Sequence, residues 1–159
     1  LAAGLSLAEV SDGLKNFSNI KGRLNIKQGI KGATLIDDTY NANPDSMKAA
    51  IDVLAAMPAP RIFVMGDMGE LGEDEAAAMH AEVGAYARDQ GIEAAYFVGD
   101  NSVEAAETFG AEGLWFAAKD PLIQVLSHDL PERATVLVKG SRFMKMEEVV
   151  EALTDKEVV

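Results

Sequence analysis

The run Lys139-Gly140-Ser141-Arg142 sets two cations and a hydroxyl around a glycine, in a chain whose acidic residues outnumber its basic ones 26 to 14. Groups so placed suit a carboxylate or another small oxyanion, because Arg offers a planar fork of donors and Lys a compact charge. A glycine between them lets a ligand approach the backbone closely. The same residues would also serve as solvated charges leading into a helix. A second run, Asp37-Asp38-Thr39-Tyr40-Asn41-Ala42-Asn43-Pro44, concentrates carboxylates, amides and backbone N–H groups where a strand turns into a helix. That chemistry suits a ribose or a phosphate-bearing ligand, and equally an ordinary capped turn rich in Asp and Asn. A third run, Gly66-Asp67-Met68-Gly69-Glu70-Leu71-Gly72, spaces its glycines three apart. The dinucleotide fingerprint needs its first two glycines two apart, so this run reads as a flexible loop or as a site of another kind.

Several chemistries are excluded. There is no cysteine, so disulfides, thiolate metal sites and thiol nucleophiles are absent. Neither His80 nor His128 has a third ligand nearby in sequence, so no metal centre is expected at either. No Ser-His-Asp arrangement can be assembled from the spacing. The chain also lacks a GxxxxGK[ST] loop, so a nucleoside triphosphate would have to be gripped elsewhere. A net charge of −12 with scattered basic residues argues against capture of nucleic acid or anionic lipid. No apolar run approaches the ~20 residues of a membrane span, and the first residues lack the order of a signal peptide. The expectation is a soluble intracellular domain.

The elements that must position these runs alternate between two periodicities. Short β-branched stretches occur at Thr34–Ile36, Arg61–Met65, Ala95–Val98, Leu114–Phe116 and Thr135–Val138, and Arg23–Gln28 alternates like an edge strand. Helical spacing occupies Ser46–Ala56, Glu73–Asp89, Ser102–Phe109, Asp120–Ser127 and Met144–Leu153, with a further short helix expected over Leu5–Phe17. Within Glu73–Asp89, Met79, Val83 and Tyr86 fall on one face. Pro44-Asp45-Ser46 and Asp120-Pro121 read as helix starts, Gly91 and Gly110 as helix ends. Trp115, Phe116 and the seven methionines read as core filling, and Glu147, Glu148 and Glu151 as a solvated face. Strand–helix alternation of this kind builds a mostly parallel sheet of about six strands with helices on both faces, a three-layer α/β domain. Ligands bind such sheets beyond the carboxyl ends of the strands, and there the three runs fall.

Taken in order with Lys21-Gly22-Arg23, these runs resemble the C-terminal domain of the Mur ligases, over essentially the whole chain. Within that family Tyr40-Asn41-Ala42-Asn43-Pro44-Asp45-Ser46-Met47 and Lys139–Arg142 are similar to the member that adds D-alanyl-D-alanine to UDP-N-acetylmuramoyl tripeptide. The resemblance implies a Rossmann-like domain over residues 1–159, with 1–20 a linker or helix leading into it. It implies an N-terminal UDP-sugar domain and a central ATPase domain outside this sequence, and Leu1 is expected to mark a cut in a longer ligase. The implied reaction is amide formation driven by ATP through an acyl phosphate, in peptidoglycan synthesis, in the bacterial cytoplasm, by a monomer. ATP and Mg2+ would be held mainly by the central domain, so this chain is expected to be inactive alone. By position, the resemblance puts Arg23, Asp38, Tyr40, Asn41 and Asn43 facing ATP, and Lys139, Gly140, Ser141 and Arg142 facing the dipeptide. Asp67 and Glu70 fall in the cleft without a role, no residue is assigned to catalysis or to a metal, and His80 is expected to have a structural task. The competing expectations are a stand-alone Rossmann-type nucleotide-binding module and a purely structural interaction domain.

Overall fold

The computed structural model describes residues 20–156; the helix expected over Leu5–Phe17 lies outside them. Six strands, β1 (Asn25–Gln28), β2 (Thr34–Asp38), β3 (Arg61–Gly66), β4 (Ala94–Val98), β5 (Gly113–Phe116) and β6 (Thr135–Lys139), form one sheet in the order β1-β2-β6-β3-β4-β5. Only β1 runs antiparallel, pairing Asn25 with Asp37 and Gln28 with Thr34 at the sheet edge. Among the described residues four α-helices join successive strands from β2 onward, α1 (Pro44–Ala55), α2 (Glu73–Asp89), α3 (Ser102–Phe109) and α4 (Lys119–Asp129), and α5 (Glu147–Leu153) follows β6.

Handedness decides which face each helix covers. From β2 to β3, β4 and β5 the chain steps across the sheet in one direction, so right-handed crossovers put α1, α2 and α3 on the same face. The return from β5 to β6 runs the other way, which puts α4 on the opposite face, followed by α5. The strands are consequently apolar on both sides. In β3, Phe63 and Met65 pack with Met47, Ile51, Leu54 and Val83. Ile62 and Val64 pack with Leu122, Leu126, Val149 and Leu153 on the other face. Each such fully buried side chain contributes about 1.5–3 kcal/mol of transfer free energy.

Several helix boundaries differ from the sequence expectation for local reasons. The cap of α1 is Asn43, whose side chain accepts the Ser46 amide while the Ser46 hydroxyl accepts the Asn43 amide, with Pro44 at the first helical position. Asp120 is not a cap: α4 begins at Lys119, leaving Asp120 and Pro121 inside the first turn, where a missing N–H costs no helical bond. Met144 belongs to a separate 3-10 turn over Arg142–Met144, which ends at Lys145 in the left-handed region (φ 51°). Gly91 and Gly110 do follow their helices at positive φ. Of the expected face of α2, Val83 is fully buried while Met79 and Tyr86 pack at its margin. Trp115 is 40% exposed rather than core, because β5 is an edge strand; its indole N–H donates to the Gly99 carbonyl at 2.8 Å.

Candidate functional site

Strand order reverses around β6, whose neighbours β2 and β3 lead into helices on the face opposite to α5. A crevice opens at the carboxyl ends of strands at such a point. Asp38 and Lys139 are the last residues of β2 and β6, and the parallel register sets them side by side. Lys139 Nζ donates to Asp38 Oδ2 at 2.8 Å and to the Asn41 carbonyl at 2.9 Å. With side chains 4% and 10% exposed, neither charge could be left alone without a large desolvation penalty. This pair ties the turn after β2 to the centre of the sheet. It lines a groove of about 580 Å3 together with Arg23, Tyr40, Asn41 and Asn43, whose other wall is the apolar surface of Leu24, Ala49, Ala50 and Val53. The structure thus groups Lys139 with the residues expected to face a nucleotide, apart from Arg142.

Arg142 opens on a second groove of about 720 Å3, which Tyr40 also lines, with Lys21, Lys27, Asp37, Glu147 and Glu151. Lys27 and Asp37 form an ion pair of 2.9 Å; Asp37 belongs to a run the sequence singled out and Lys27 does not, while Glu147 and Glu151 are exposed, in keeping with the solvated face expected of them. The meeting of Lys27 with Asp37 depends on β1 pairing with β2, which nothing local in the sequence announces. Asp37 also accepts from the Thr39 hydroxyl at 2.6 Å, so it shapes the turn that carries Tyr40.

Tyr40 lines both grooves, as does Ile20. The Tyr40 N–H donates to the Gly22 carbonyl at 2.8 Å. Gly22 stands at φ 79°, and a Cβ there would come within 3.0 Å of the Tyr40 nitrogen. This close approach brings Arg23 over the ring, its guanidinium carbon 4.4 Å from the centroid, while that of Arg142 lies at 5.0 Å. Asn41 accepts the Ala42 amide, and Asn43 is engaged as the cap of α1.

The space beside Gly140 is filled by the protein itself: a Cβ would sit 2.6 Å from Met146 Cγ and 3.1 Å from Gly66 Cα. Glycine is needed there for packing at the strand end rather than for a ligand's approach. Ser141 is buried; its N–H donates to the Asp67 carbonyl at 2.9 Å. Its hydroxyl is the one buried side-chain polar atom among the described residues that finds no hydrogen-bond partner. Phe143, 65% exposed, follows at the same strand end.

Asp67 and Glu70 line neither groove. The buried Asp67 carboxylate accepts from the Asn101 amide (3.1 Å), the Ser102 amide (2.9 Å) and the Ser102 hydroxyl (2.6 Å), satisfying donors at the start of α3. His80 is fully buried, as its expected structural task requires. The Met68 amide donates to Nε2 at 2.9 Å, so Nδ1 carries the proton and donates to the Ala76 carbonyl at 2.7 Å. The ring therefore pins the Gly66–Gly72 loop to α2. Glu70, in that loop, is exposed at φ 60°. Among the described residues no three His, Cys, Asp or Glu side chains gather as metal ligands. The Mg2+ implied by the resemblance has no ligand set in them.

A doubly wound α/β sheet with its polar residues gathered where strand order reverses defines a Rossmann-like ligand-binding domain. The chain matches the Mur ligase, glutamate ligase domain family over residues 22–142 and belongs to that family. It is 43% identical over 157 residues to the UDP-N-acetylmuramoyl-tripeptide–D-alanyl-D-alanine ligase of Escherichia coli (strain K12), covering 98% of this chain and 34% of the relative. A crystal structure of MurF from Acinetobacter baumannii superposes with a TM-score of 0.75 at 34% identity, covering 94% of this chain and 33% of that one. MurF of Thermotoga maritima, in complex with ADP, superposes with a TM-score of 0.74 at 26% identity, over 84% of this chain and 30% of that one. The chain thus spans about a third of the length of the relatives it matches.

Proposed function

We propose that this chain is the C-terminal domain of an ATP-dependent ligase that joins D-alanyl-D-alanine to UDP-N-acetylmuramoyl tripeptide in peptidoglycan synthesis. The observation that carries the reading is the 43% identity to the Escherichia coli ligase of that name across 98% of this chain. The placement of all four sequence runs around one end of the sheet supports it. In this reaction the tripeptide carboxylate attacks the γ-phosphorus of ATP and ADP leaves. The amine of D-alanyl-D-alanine then attacks the acyl phosphate, phosphate departs, and the amine gives up a proton.

The residues of this chain bind, orient and exclude water. The groove beside Asp38 offers a carboxylate for ribose hydroxyls, the Arg23 guanidinium for phosphate oxygens and an apolar wall for the face of a purine. Arg142 supplies a cation for the dipeptide's terminal carboxylate. The unpartnered Ser141 hydroxyl supplies a donor or acceptor that only a ligand or water would satisfy. Lys139, locked to Asp38 and Asn41, acts by holding the nucleotide-side turn. Acyl phosphates hydrolyse readily, so a domain that closes over the other two would protect the intermediate while bringing the amine in. The enzyme is assigned to the bacterial cytoplasm, as a monomer, and its Mg2+ would be held mainly by the central domain.

Steady-state kinetics of the full-length enzyme test the assignment. Arg142→Ala raises the KM for D-alanyl-D-alanine about tenfold, the worth of one charge-assisted contact, and that for ATP much less. Arg23→Ala does the reverse. An Arg142→Ala effect confined to ATP refutes the placement of the dipeptide.

A further inference from the structure

We propose that Tyr40 is a positioning residue that holds Arg23 and Arg142 as one unit, so that the two grooves it lines are filled interdependently. The inference rests on the ligase reading above and adds a coupling between its two small-molecule sites.

Three observations carry it. Arg23 and Arg142, 119 positions apart in sequence, both bring their guanidinium carbons to within 4.4 and 5.0 Å of the same ring centroid. Neither guanidinium has an ion-pair partner among the described residues, whereas Lys27, Arg61 and Lys139 are paired with Asp37, Glu93 and Asp38. Tyr40 lines both grooves, Arg23 only one and Arg142 only the other.

The physics follows from the ring's negative face, which attracts each cation and offsets their mutual repulsion. An arginine without an acidic partner keeps its charge available to a ligand but is costly to order, because its side chain has many rotamers. Tyr40 meets that cost for both arginines at once, and the Gly22 carbonyl fixes Tyr40 in turn. A phosphate oxygen drawing on Arg23 or a carboxylate drawing on Arg142 thereby settles the ring against the other guanidinium. Each ligand finds its site better ordered when the other is present.

The test uses the full-length ligase and measures kcat, the KM for ATP, the KM for D-alanyl-D-alanine and the melting temperature. Tyr40→Leu is expected to raise both KM values about threefold to tenfold, the range of a cation–π contact, with kcat less affected. Tyr40→Phe, which keeps the ring, is expected to recover most of that loss. In kcat/KM, the effects of Arg23→Ala and Arg142→Ala should be less than multiplicative together when Tyr40 is present and multiplicative in the Tyr40→Leu background. The proposal is overturned if Tyr40→Leu moves only one KM, or if the two arginine losses multiply independently in the presence of Tyr40. Should Tyr40→Leu melt below the assay temperature, the arginine cycle with Tyr40 in place decides alone. A wild-type enzyme that does not join D-alanyl-D-alanine in the presence of ATP overturns the ligase reading, and this inference with it. Normal wild-type activity with independent arginines overturns this inference only.

Discussion

The buried carboxylate of Asp67 shows how a residue at a strand end can look functional and be spent on the fold. It takes three hydrogen bonds from Asn101 and Ser102 at the start of α3, and Gly99 makes room for it, since a Cβ at that position would lie 2.4 and 2.8 Å from its two oxygens. Gly99 also stands at φ 116°, a conformation that a side chain strains. Gly99→Ala is therefore expected to cost about 2–4 kcal/mol from combined strain and overpacking. A urea midpoint equal to that of the wild type would show that the Asp67 carboxylate moves freely. Asp67→Ala leaves buried donors unsatisfied and is expected to cost about 2–3 kcal/mol in the same measurement. The sequence marked Asp67 as an acid at a strand end, but its partners lie 34 and 35 positions away, and no local pattern reports a contact of that range. His80 was legible as structural from the family pattern; its two hydrogen bonds follow only from where α2 sits. The unpartnered Ser141 hydroxyl lies in a run that the sequence already singled out, but its burial, and the bond from the Ser141 N–H to the Asp67 carbonyl, follow only from the fold.

At the scale of elements, alternation between the two periodicities placed all six strands, and right-handed crossovers dictated the faces of the helices. Register was not legible, because the apolar runs of β2 and β6 would tolerate a slip that the turn chemistry alone does not forbid. Yet register makes the site: Asp38 opposite Lys139 is what joins the two chemistry-bearing runs. Lys139→Ala is expected to cost about 3–5 kcal/mol, because it strands a buried carboxylate. Combining Lys139→Met with Asp38→Asn should recover most of that loss in chemical denaturation. Equal losses for the single and double variants would mean that the pair is not mutually dependent. At the opposite end of the sheet Arg61 binds Glu93, Ala55 and Gly91, tying the starts of β3 and β4 to α1 and α2. Burial would raise the Glu93 carboxyl, but hydrogen bonds from the Arg61 side chain and amide hold it below its ordinary value of 4.5. A lowered acid contributes stability above its unfolded value and loses it as pH falls through the folded one. Glu93→Gln should thus flatten the decline in urea midpoint between about pH 5 and pH 3, by less than about 1 kcal/mol because the pair is part-exposed. An unchanged acid limb would assign that decline to other carboxylates.

For the whole molecule, a net charge of −12 makes long-range attraction of an anionic nucleotide unfavourable, so binding must come from local geometry. Tyr40, in the turn after β2, lines both open grooves, and Phe143, next to Arg142 in sequence, stands 65% exposed. An open half-site offers a ligand few simultaneous contacts and leaves its charges hydrated, while the cost of lost translational and rotational freedom is unchanged. The 159-residue chain on its own is accordingly expected to bind ATP and D-alanyl-D-alanine no more tightly than about millimolar, the regime of about −4 kcal/mol. Under the proposed function the full-length enzyme should bind both and carry out the ligation, because closure of this domain over the others would surround the ligands and remove water from the reacting carbonyl. Isothermal titration of the chain with each ligand makes the comparison direct. Saturable micromolar binding of ATP by the chain alone would show that Arg23, Asp38 and the apolar wall of α1 form a complete nucleotide site. The family membership would then stand, while the proposed dependence on upstream domains would fail.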